Sequence, residues 1–156
     1  MAMRKKVWVG WLLAALWYGV ICYLSAQDGT ASTATSHWWT QWLWRLPGLS
    51  RIPLETLNAV VRQAAHGLAF FILTALVLHA CRAAWPGSGF ARYLLPWLLC
   101  AALAALDELH QWTVPGRAME WTDWLTDVSG GLLALAVCAA GSAWKHRKQR
   151  KQRPLS

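Results

Sequence analysis

Charged residues are scarce in this sequence, and four long stretches contain none. Only 14% of the 156 residues are charged, whereas 56% are hydrophobic. The charge-free stretches cover residues 7–24, 64–81, 93–106 and 128–144. With weakly polar flanking residues added, each approaches the roughly 17 to 25 residues that a helix needs to cross a membrane. Because lipid offers the backbone no hydrogen-bond partner, such segments have to be helical, so the sequence predicts four membrane-spanning helices.

Cysteine is also scarce, and the four cysteines present are widely spaced. They are Cys22, Cys81, Cys100 and Cys138, all in or at the ends of the apolar stretches. Metal sites built from cysteine need closely spaced pairs, so we interpret these residues as small apolar packing residues and expect neither a metal site nor a cofactor. The sequence also lacks a soluble domain, an internal repeat and a recognisable nucleophile motif. A transporter built from repeats is therefore the least favoured function class.

The charges that are present are segregated by sign. Eleven of the fifteen Lys and Arg residues lie before the first stretch, between the second and third, or after the fourth. All seven acidic residues fall on the opposite side of the membrane in a four-pass topology. By the positive-inside rule, we expect the N-terminus, the 82–92 connection and the basic tail 145–156 in the cytoplasm. The net charge of +8 is then an orientation signal that contacts anionic lipid, and we expect no nucleic-acid binding.

The predicted architecture is an all-α, polytopic membrane four-helix bundle in which residues 1–156 form one domain. The expected spans cover residues 7–25, 60–81, 92–111 and 123–144. The two later connections are short, which forces consecutive helices to run antiparallel beside each other. The first connection is longer, and Trp38, Trp42 and Leu46 recur in it at helical spacing. We therefore expect a short interfacial helix on the outer surface in that connection.

Polar residues interrupt the second and third spans at a similar predicted depth. Arg62 and His66 are four residues apart, so they lie one turn apart on nearly the same helix face. Asp107 shares a face with Gln111, whereas Glu108 points roughly 100° away, so we expect the two acids to have different partners. Because charge inside a membrane is costly, these residues are candidates for function by default. The alternative for Arg62 is a side chain that extends outward to lipid phosphates.

The last turn and the start of the fourth span carry further polar residues. Arg117 lies in the turn, and Asp123, Asp127 and Gly130 follow at spacings that place the three of them on one helix face. We expect Gly130 and Gly131 to let another helix approach closely. Asp123 either belongs to a polar site or only caps the N-terminus of the helix.

Five short motifs occur in the same order as in a known family. They are Ser25-x-Gln27, Arg62-Gln63-x-x-His66, Asp107-Glu108-x-x-Gln111, Pro115-x-Arg117 and Asp123-x-x-x-Asp127-x-x-Gly130. On these motifs the chain resembles the VanZ-like family of bacterial membrane proteins over most of its length. Two positions depart from the family pattern, since Gln63 replaces the usual Lys and Asp127 replaces the usual Asn. The site has one cation fewer and one carboxyl group more, which weakens charge alone as a basis for choosing an anionic ligand.

The resemblance implies a multi-pass protein of the bacterial inner (cytoplasmic) membrane that takes part in the cell envelope. It also implies an association with antibiotic resistance, since the founding member gives low-level resistance to the glycopeptide teicoplanin. It implies no settled biochemical activity and no catalytic residue. Function has to be inferred from the polar residues themselves.

Ten polar residues form the candidate site, and the predicted topology places all of them in the outer third of the membrane. They are Ser25, Gln27, Arg62, His66, Asp107, Glu108, Gln111, Arg117, Asp123 and Asp127. The leading hypothesis is that they bind the headgroup of a lipid-linked or amphiphilic molecule, with the arginines taking phosphate. Expected partners are membrane lipids, lipid-linked cell-wall intermediates and other envelope proteins.

Two other function classes stay open at this point. One is a membrane enzyme, a phosphohydrolase or transferase acting on such a lipid, in which acid pairs hold a divalent ion or transfer protons. The other is a structural or assembly subunit in which the charges only neutralise one another.

Overall fold

The computed structural model describes residues 2–85 and 91–152. They form five α-helices and one 3-10 turn: α1 (Ala2–Ser25), α2 (Gly29–Trp44), the 3-10 turn Leu49–Arg51, α3 (Leu54–Ala84), α4 (Ala91–Trp112) and α5 (Trp121–Lys151). No β-strand occurs in either described range. Residues 86–90 and 153–156, which belong to the connection and the tail assigned above to the cytoplasmic side, lie outside the described residues.

Four of the five helices are long and apolar enough to cross a membrane. Their candidate spans are Val7–Ser25, Leu54–Ala84, Arg92–Trp112 and Trp121–Lys151. The prediction of an all-helical chain with four long apolar helices is confirmed. Large apolar side chains such as Leu12, Leu68 and Leu133 are exposed on the outside of the bundle. An apolar exterior of this kind suits a surface that faces lipid rather than water.

Helix α3 is the centre of the bundle, because it packs against α1, α2, α4 and α5. Phe70, Leu73 and Val77 of α3 are almost fully buried and form a core with Cys100 and Ala104 of α4. Their spacing of three and four residues places the three α3 side chains on one helix face. Arg62 and His66, by contrast, lie on the N-terminal half of α3, which positions the candidate site at one end of this core.

Glycines let α3 and α5 approach closely. A Cβ atom at Gly130 would collide with the carbonyl oxygen of Gly67, so the two backbones touch at this point. At Gly131 a Cβ would lie 2.9 Å from the hydroxyl oxygen of Thr74. The close approach predicted for Gly130 and Gly131 is therefore present, and Gly67 is its counterpart on α3. This contact brings the polar face of α5 against the polar end of α3.

The first connection contains a helix, as predicted, but the helix is longer than the tryptophan pattern indicated. It begins at Gly29, since Asp28 caps it by accepting from the backbone N–H groups of Thr30 (2.9 Å) and Ala31 (2.8 Å). Three hydroxyl groups of α2, those of Thr33, Thr35 and Ser36, donate to carbonyl oxygens of the preceding turn, which satisfies them within the helix. The side chain of Thr40 is buried and donates to the amide oxygen of Asn58 at 3.0 Å, which fixes α2 to α3.

We expect the exchange Gly130→Ala to lower thermal stability, because its methyl group has to displace the backbone of α3. Overpacking of this kind typically costs about 1–3 kcal/mol. The matched control is Gly141→Ala in the same helix, where a Cβ meets nothing within 4 Å. That variant should melt at or slightly above the wild-type temperature, because alanine favours a helix. Thermal unfolding in detergent distinguishes the two, and equal melting temperatures would contradict the close backbone contact.

Candidate functional site

The candidate site is built by the ends of several helices that meet at one end of the bundle. Ser25 is the last residue of α1, Gln111 lies in the last turn of α4, and Asp123 lies in the first turn of α5. Arg62 comes from α3, and Arg117 lies in the turn between α4 and α5. The polar residues are distant in sequence, so only the packing of the helices brings them together.

One group of polar side chains forms a continuous hydrogen-bonded chain from α1 to the last turn. Ser25 donates to the carboxylate of Asp107 at 2.8 Å, and Gln111 donates to the same oxygen at 2.9 Å. Arg117 in turn donates to the side-chain oxygen of Gln111 at 2.8 Å and to the hydroxyl of Ser32 at 3.4 Å. Ser25, Asp107 and Gln111 are all buried. This series of hydrogen bonds therefore couples the position of Arg117 to the core of the bundle.

A second group is centred on Asp123, which is 2% exposed. The side-chain amide of Gln63 donates to one carboxylate oxygen at 2.7 Å, and Arg62 lies 3.4 Å from the other. His66 lies 3.8 Å from Asp123 through Nε2 and 3.4 Å from Asp127 through Nδ1. The residue at the N-terminal boundary of α5 is instead Glu120, and Asp123 does not cap the helix. Its side chain belongs to the polar site.

Glu108 has a separate partner, as its position on the helix predicted. Its side chain accepts a hydrogen bond at 2.9 Å from the backbone N–H of Glu120, where α5 begins. Asp107, one residue earlier, faces α1 through Ser25. The two adjacent acids of α4 thus contact different helices, since Asp107 contacts α1 and Glu108 contacts the start of α5. The hydrogen bond to Glu108 fixes the turn that leads into α5.

A cavity of about 310 Å³ lies between α1, α2 and α3 beside the hydrogen-bonded chain. Its polar lining comes from Ser25, Gln27, Arg62, His66, Asp107 and Arg117, together with hydroxyl groups of α2. Ile21, Leu24 and Phe70 supply apolar walls. Gln27 lines this cavity, but its side chain forms no hydrogen bond within the described ranges.

Both arginines also line an adjoining polar cavity of about 360 Å³ next to Gly116 and Glu120. Burial and then the nearby charge of Arg62 lower the pKa of Arg117, although acidic neighbours led by Asp107 act in the opposite direction. The guanidinium group stays charged at any physiological pH, since its ordinary pKa is far higher. The contribution of Arg62 to this shift means that the two cations repel each other across the site.

A third arrangement brings together side chains of three helices. His66 of α3, Glu108 of α4 and Asp127 of α5 each place one nitrogen or oxygen atom within 4.8 Å of the others. Glu108 and Asp127 are 0% and 1% exposed. Oε1 of Glu108 and both carboxylate oxygens of Asp127 have no hydrogen-bond partner among the residues that the structure describes. These atoms are of the types that bind divalent metal ions.

Sequence reasoning missed three contributors to the site. Gln63 was interpreted only as a departure from a motif, yet its side chain holds Asp123. Ser32 contacts Arg117, and no spacing in the sequence linked these residues across α2. Gly29 lies against Gly116, with its backbone N–H donating to the carbonyl of Pro115 at 3.2 Å. A glycine at the start of a helix and another in a turn were the only signals of this contact.

Comparison with known proteins assigns the chain to a family. A model of the VanZ/LLP1 family matches residues 10–142, so the chain belongs to this family. The match includes all ten candidate site residues, and the resemblance inferred from the motifs is confirmed. No match was found among the curated proteins or the solved structures compared with the chain.

The contact between Ser25 and Asp107 can be measured by a double-mutant cycle. We expect Ser25→Ala and Asp107→Ala each to destabilise the protein, because each leaves a buried polar partner unsatisfied. The double variant should be more stable than the sum of the two effects predicts, by about 1 kcal/mol. The control is Ser142→Ala, because the hydroxyl of Ser142 donates to a carbonyl of its own helix. Its effect on stability should be additive with that of Asp107→Ala. If the effects on stability are additive in both cycles, the hydrogen bond between Ser25 and Asp107 does not stabilise the fold.

Proposed function

We propose that this VanZ-family protein binds the anionic headgroup of a lipid-linked or amphiphilic molecule in the cavity lined by Arg62 and Arg117. The observation that carries the proposal is the composition of that cavity. Two guanidinium groups share it with the apolar side chains of Ile21, Leu24 and Phe70. An amphiphile needs this combination, since its phosphate pairs with arginine and the adjoining hydrocarbon avoids water.

The charge balance around Arg117 supports an anionic ligand. Its hydrogen bonds are made to uncharged groups, the amide oxygen of Gln111 and the hydroxyl of Ser32. Arg62 lies 3.4 Å from Asp123 but its side chain remains 40% exposed. An anion between the two guanidinium groups would relieve their repulsion and accept several charge-assisted hydrogen bonds.

The proposal includes an orientation, with both termini in the cytoplasm and the cavity near the outer face of the inner membrane. The distribution of Lys and Arg supports this orientation. Helix α2 would then be an interfacial helix, and its exposed tryptophans Trp38, Trp39 and Trp42 suit the headgroup region. Trp39 also lines the cavity, so α2 would cover the bound headgroup from outside.

The headgroups of lipid-linked cell-wall intermediates contain phosphate, and we propose this class as the physiological ligand. The founding member of the family is associated with low-level resistance to the glycopeptide teicoplanin. A VanZ-family protein that held such an intermediate would change its exposure to the antibiotic. Resistance to teicoplanin would then be a consequence of binding and would require no catalysis.

Reporter fusions test the orientation. Alkaline phosphatase fused after Gly48, which follows α2, should be active, because this enzyme folds only outside the cytoplasm. The same reporter fused after Lys151 should be inactive, and a green fluorescent protein at that position should fluoresce. The reverse pattern would place the cavity at the cytoplasmic face and remove the basis for an outer-leaflet ligand.

Native mass spectrometry tests headgroup binding, with polyprenyl phosphate as the probe and the uncharged polyprenol as its matched control. The wild type should retain the phosphate and not the alcohol. We expect Arg62→Gln and Arg117→Gln to weaken binding at least tenfold, because each removes one charge from the cavity. Arg51→Gln should bind like the wild type, since Arg51 is exposed on the 3-10 turn and does not line the cavity.

Each variant is first checked for folding by its melting temperature. Equal binding of phosphate and alcohol, or unchanged binding in the cavity variants, would contradict a headgroup site. Arginine variants that lose stability without losing bound lipid would favour the structural-subunit hypothesis instead.

A membrane phosphohydrolase or transferase acting on the same lipid is the second candidate function. The observation that favours it is the cluster of His66, Glu108 and Asp127, whose side chains are of types that bind metal ions. His66 also lines the cavity, so a bound phosphate and this cluster share a side chain. Turnover of a polyprenyl phosphate or diphosphate that is lost in the variant Asp127→Asn would establish this function over simple binding.

A further inference from the structure

The cluster of His66, Glu108 and Asp127 has the composition of a metal site. Three helices contribute one residue each, and the candidate ligand atoms lie within 4.8 Å of one another. Ligand atoms around a tetrahedral Zn²⁺ ion are about 3.3 Å apart, since Zn–N and Zn–O bonds measure roughly 2.0–2.2 Å. The separations exceed this value by at most about 1.5 Å, a difference that small rotations of the three side chains would remove.

Hydrogen bonding within the bundle leaves this cluster unsatisfied. Glu108 uses one oxygen to accept from the backbone of Glu120, and its other oxygen has no partner within residues 2–85 and 91–152. Neither oxygen of Asp127 has a hydrogen-bond partner there, although Nδ1 of His66 approaches to 3.4 Å. A buried carboxylate without partners is costly, so the arrangement requires a ligand or a proton to balance it.

The charges also fit a divalent cation. Asp123 is already engaged by Arg62 and Gln63. Two further buried carboxylates, Glu108 and Asp127, face one imidazole that is itself shared with Asp123. Two carboxylates beside a neutral imidazole carry a charge of −2, which a single divalent ion neutralises without requiring any of the three side chains to be protonated.

From these observations we propose that His66, Glu108 and Asp127 bind one divalent transition-metal ion with the preferences of Zn²⁺. The mixture of one imidazole nitrogen and two carboxylate groups favours Zn²⁺ over Mg²⁺, which prefers an all-oxygen octahedral shell. The widely spaced cysteines predicted no metal site, and a divalent ion was expected only under the enzyme hypothesis, at acid pairs. These three ligands come from separate helices and become neighbours only in the fold.

This metal site stands independently of headgroup binding. The ion would lie beside the cavity through His66, but it depends on no lipid and on neither arginine. Metal binding would tie α3, α4 and α5 together, so it should stabilise the fold by mass action. A failure of the lipid experiment leaves this inference unaffected, and the reverse also holds.

Metal content and Zn²⁺ titration test the proposal. The protein is purified in detergent with a tag that binds no metal, and its zinc content is measured by inductively coupled plasma mass spectrometry. After treatment with a chelator, ZnCl₂ is titrated and followed by calorimetry and by the melting temperature, with MgCl₂ as the comparison ion. The wild type should bind about one Zn²⁺ per chain, melt at a higher temperature with Zn²⁺, and respond at least tenfold more weakly to Mg²⁺.

Two near-isosteric variants locate the ion. Asp127→Asn and Glu108→Gln should each weaken Zn²⁺ binding at least tenfold, and glutamine at position 108 keeps an oxygen for the Glu120 backbone hydrogen bond. The matched control is Glu55→Gln, because Glu55 is exposed in the first turn of α3. It should retain wild-type affinity. If either near-isosteric variant fails to fold, His66→Gln takes its place with the same expected loss.

Two results would overturn the proposal. One is a folded wild type that contains no zinc and shows neither heat nor a change in melting temperature on titration. The other is a folded Asp127, Glu108 or His66 variant that binds Zn²⁺ with wild-type affinity, since the ion would then lie elsewhere.

Discussion

Burial of carboxyl groups inside an apolar bundle is the constraint on which the rest of this structure depends. Asp107, Glu108, Asp123 and Asp127 are each at most 2% exposed. An ionised carboxylate removed from water has to be paired, hydrogen-bonded or bound to a cation. Each acid therefore finds its neighbours on another helix or at the next helix boundary. The polar contacts that result fix how α1, α3, α4 and α5 meet at this end of the bundle.

Close packing at small residues makes these contacts reachable. The glycine contact between Gly67 and Gly130 brings the polar face of α5 against α3, where Asp123 and Asp127 meet His66. A second glycine contact, between α2 and the turn before α5, sets Ser32 beside Arg117. Side chains of ordinary length span only a few ångströms, so a slightly wider helix spacing would separate the acids from their partners. Backbone packing and the polar site therefore support each other.

Much of the fold was predictable because lipid imposes simple rules on a chain. Four charge-free stretches predicted four long helices, and the tryptophan spacing predicted the helix in the first connection. The motifs also identified the family and the polar residues, among them Arg62 and Asp107. The start of α2 was less predictable, since it depends on the cap formed by Asp28. For Asp123 the sequence left two roles open, and only its contacts with Gln63 and Arg62 decided between them.

The sequence by itself determined the helical class, the family and which side chains have to be accommodated in an apolar environment. It did so because hydrophobic length, glycine spacing and intramembrane charge act locally along the chain. Only the tertiary structure decided which of those side chains are partners. The hydrogen bond of Ser25 with Asp107, the cavity shared by Arg62 and Arg117, and the cluster of three metal-binding side chain types each join residues from different helices. Helix rotation and spacing determine such encounters, and these are set by the packing of the whole bundle rather than by any single segment.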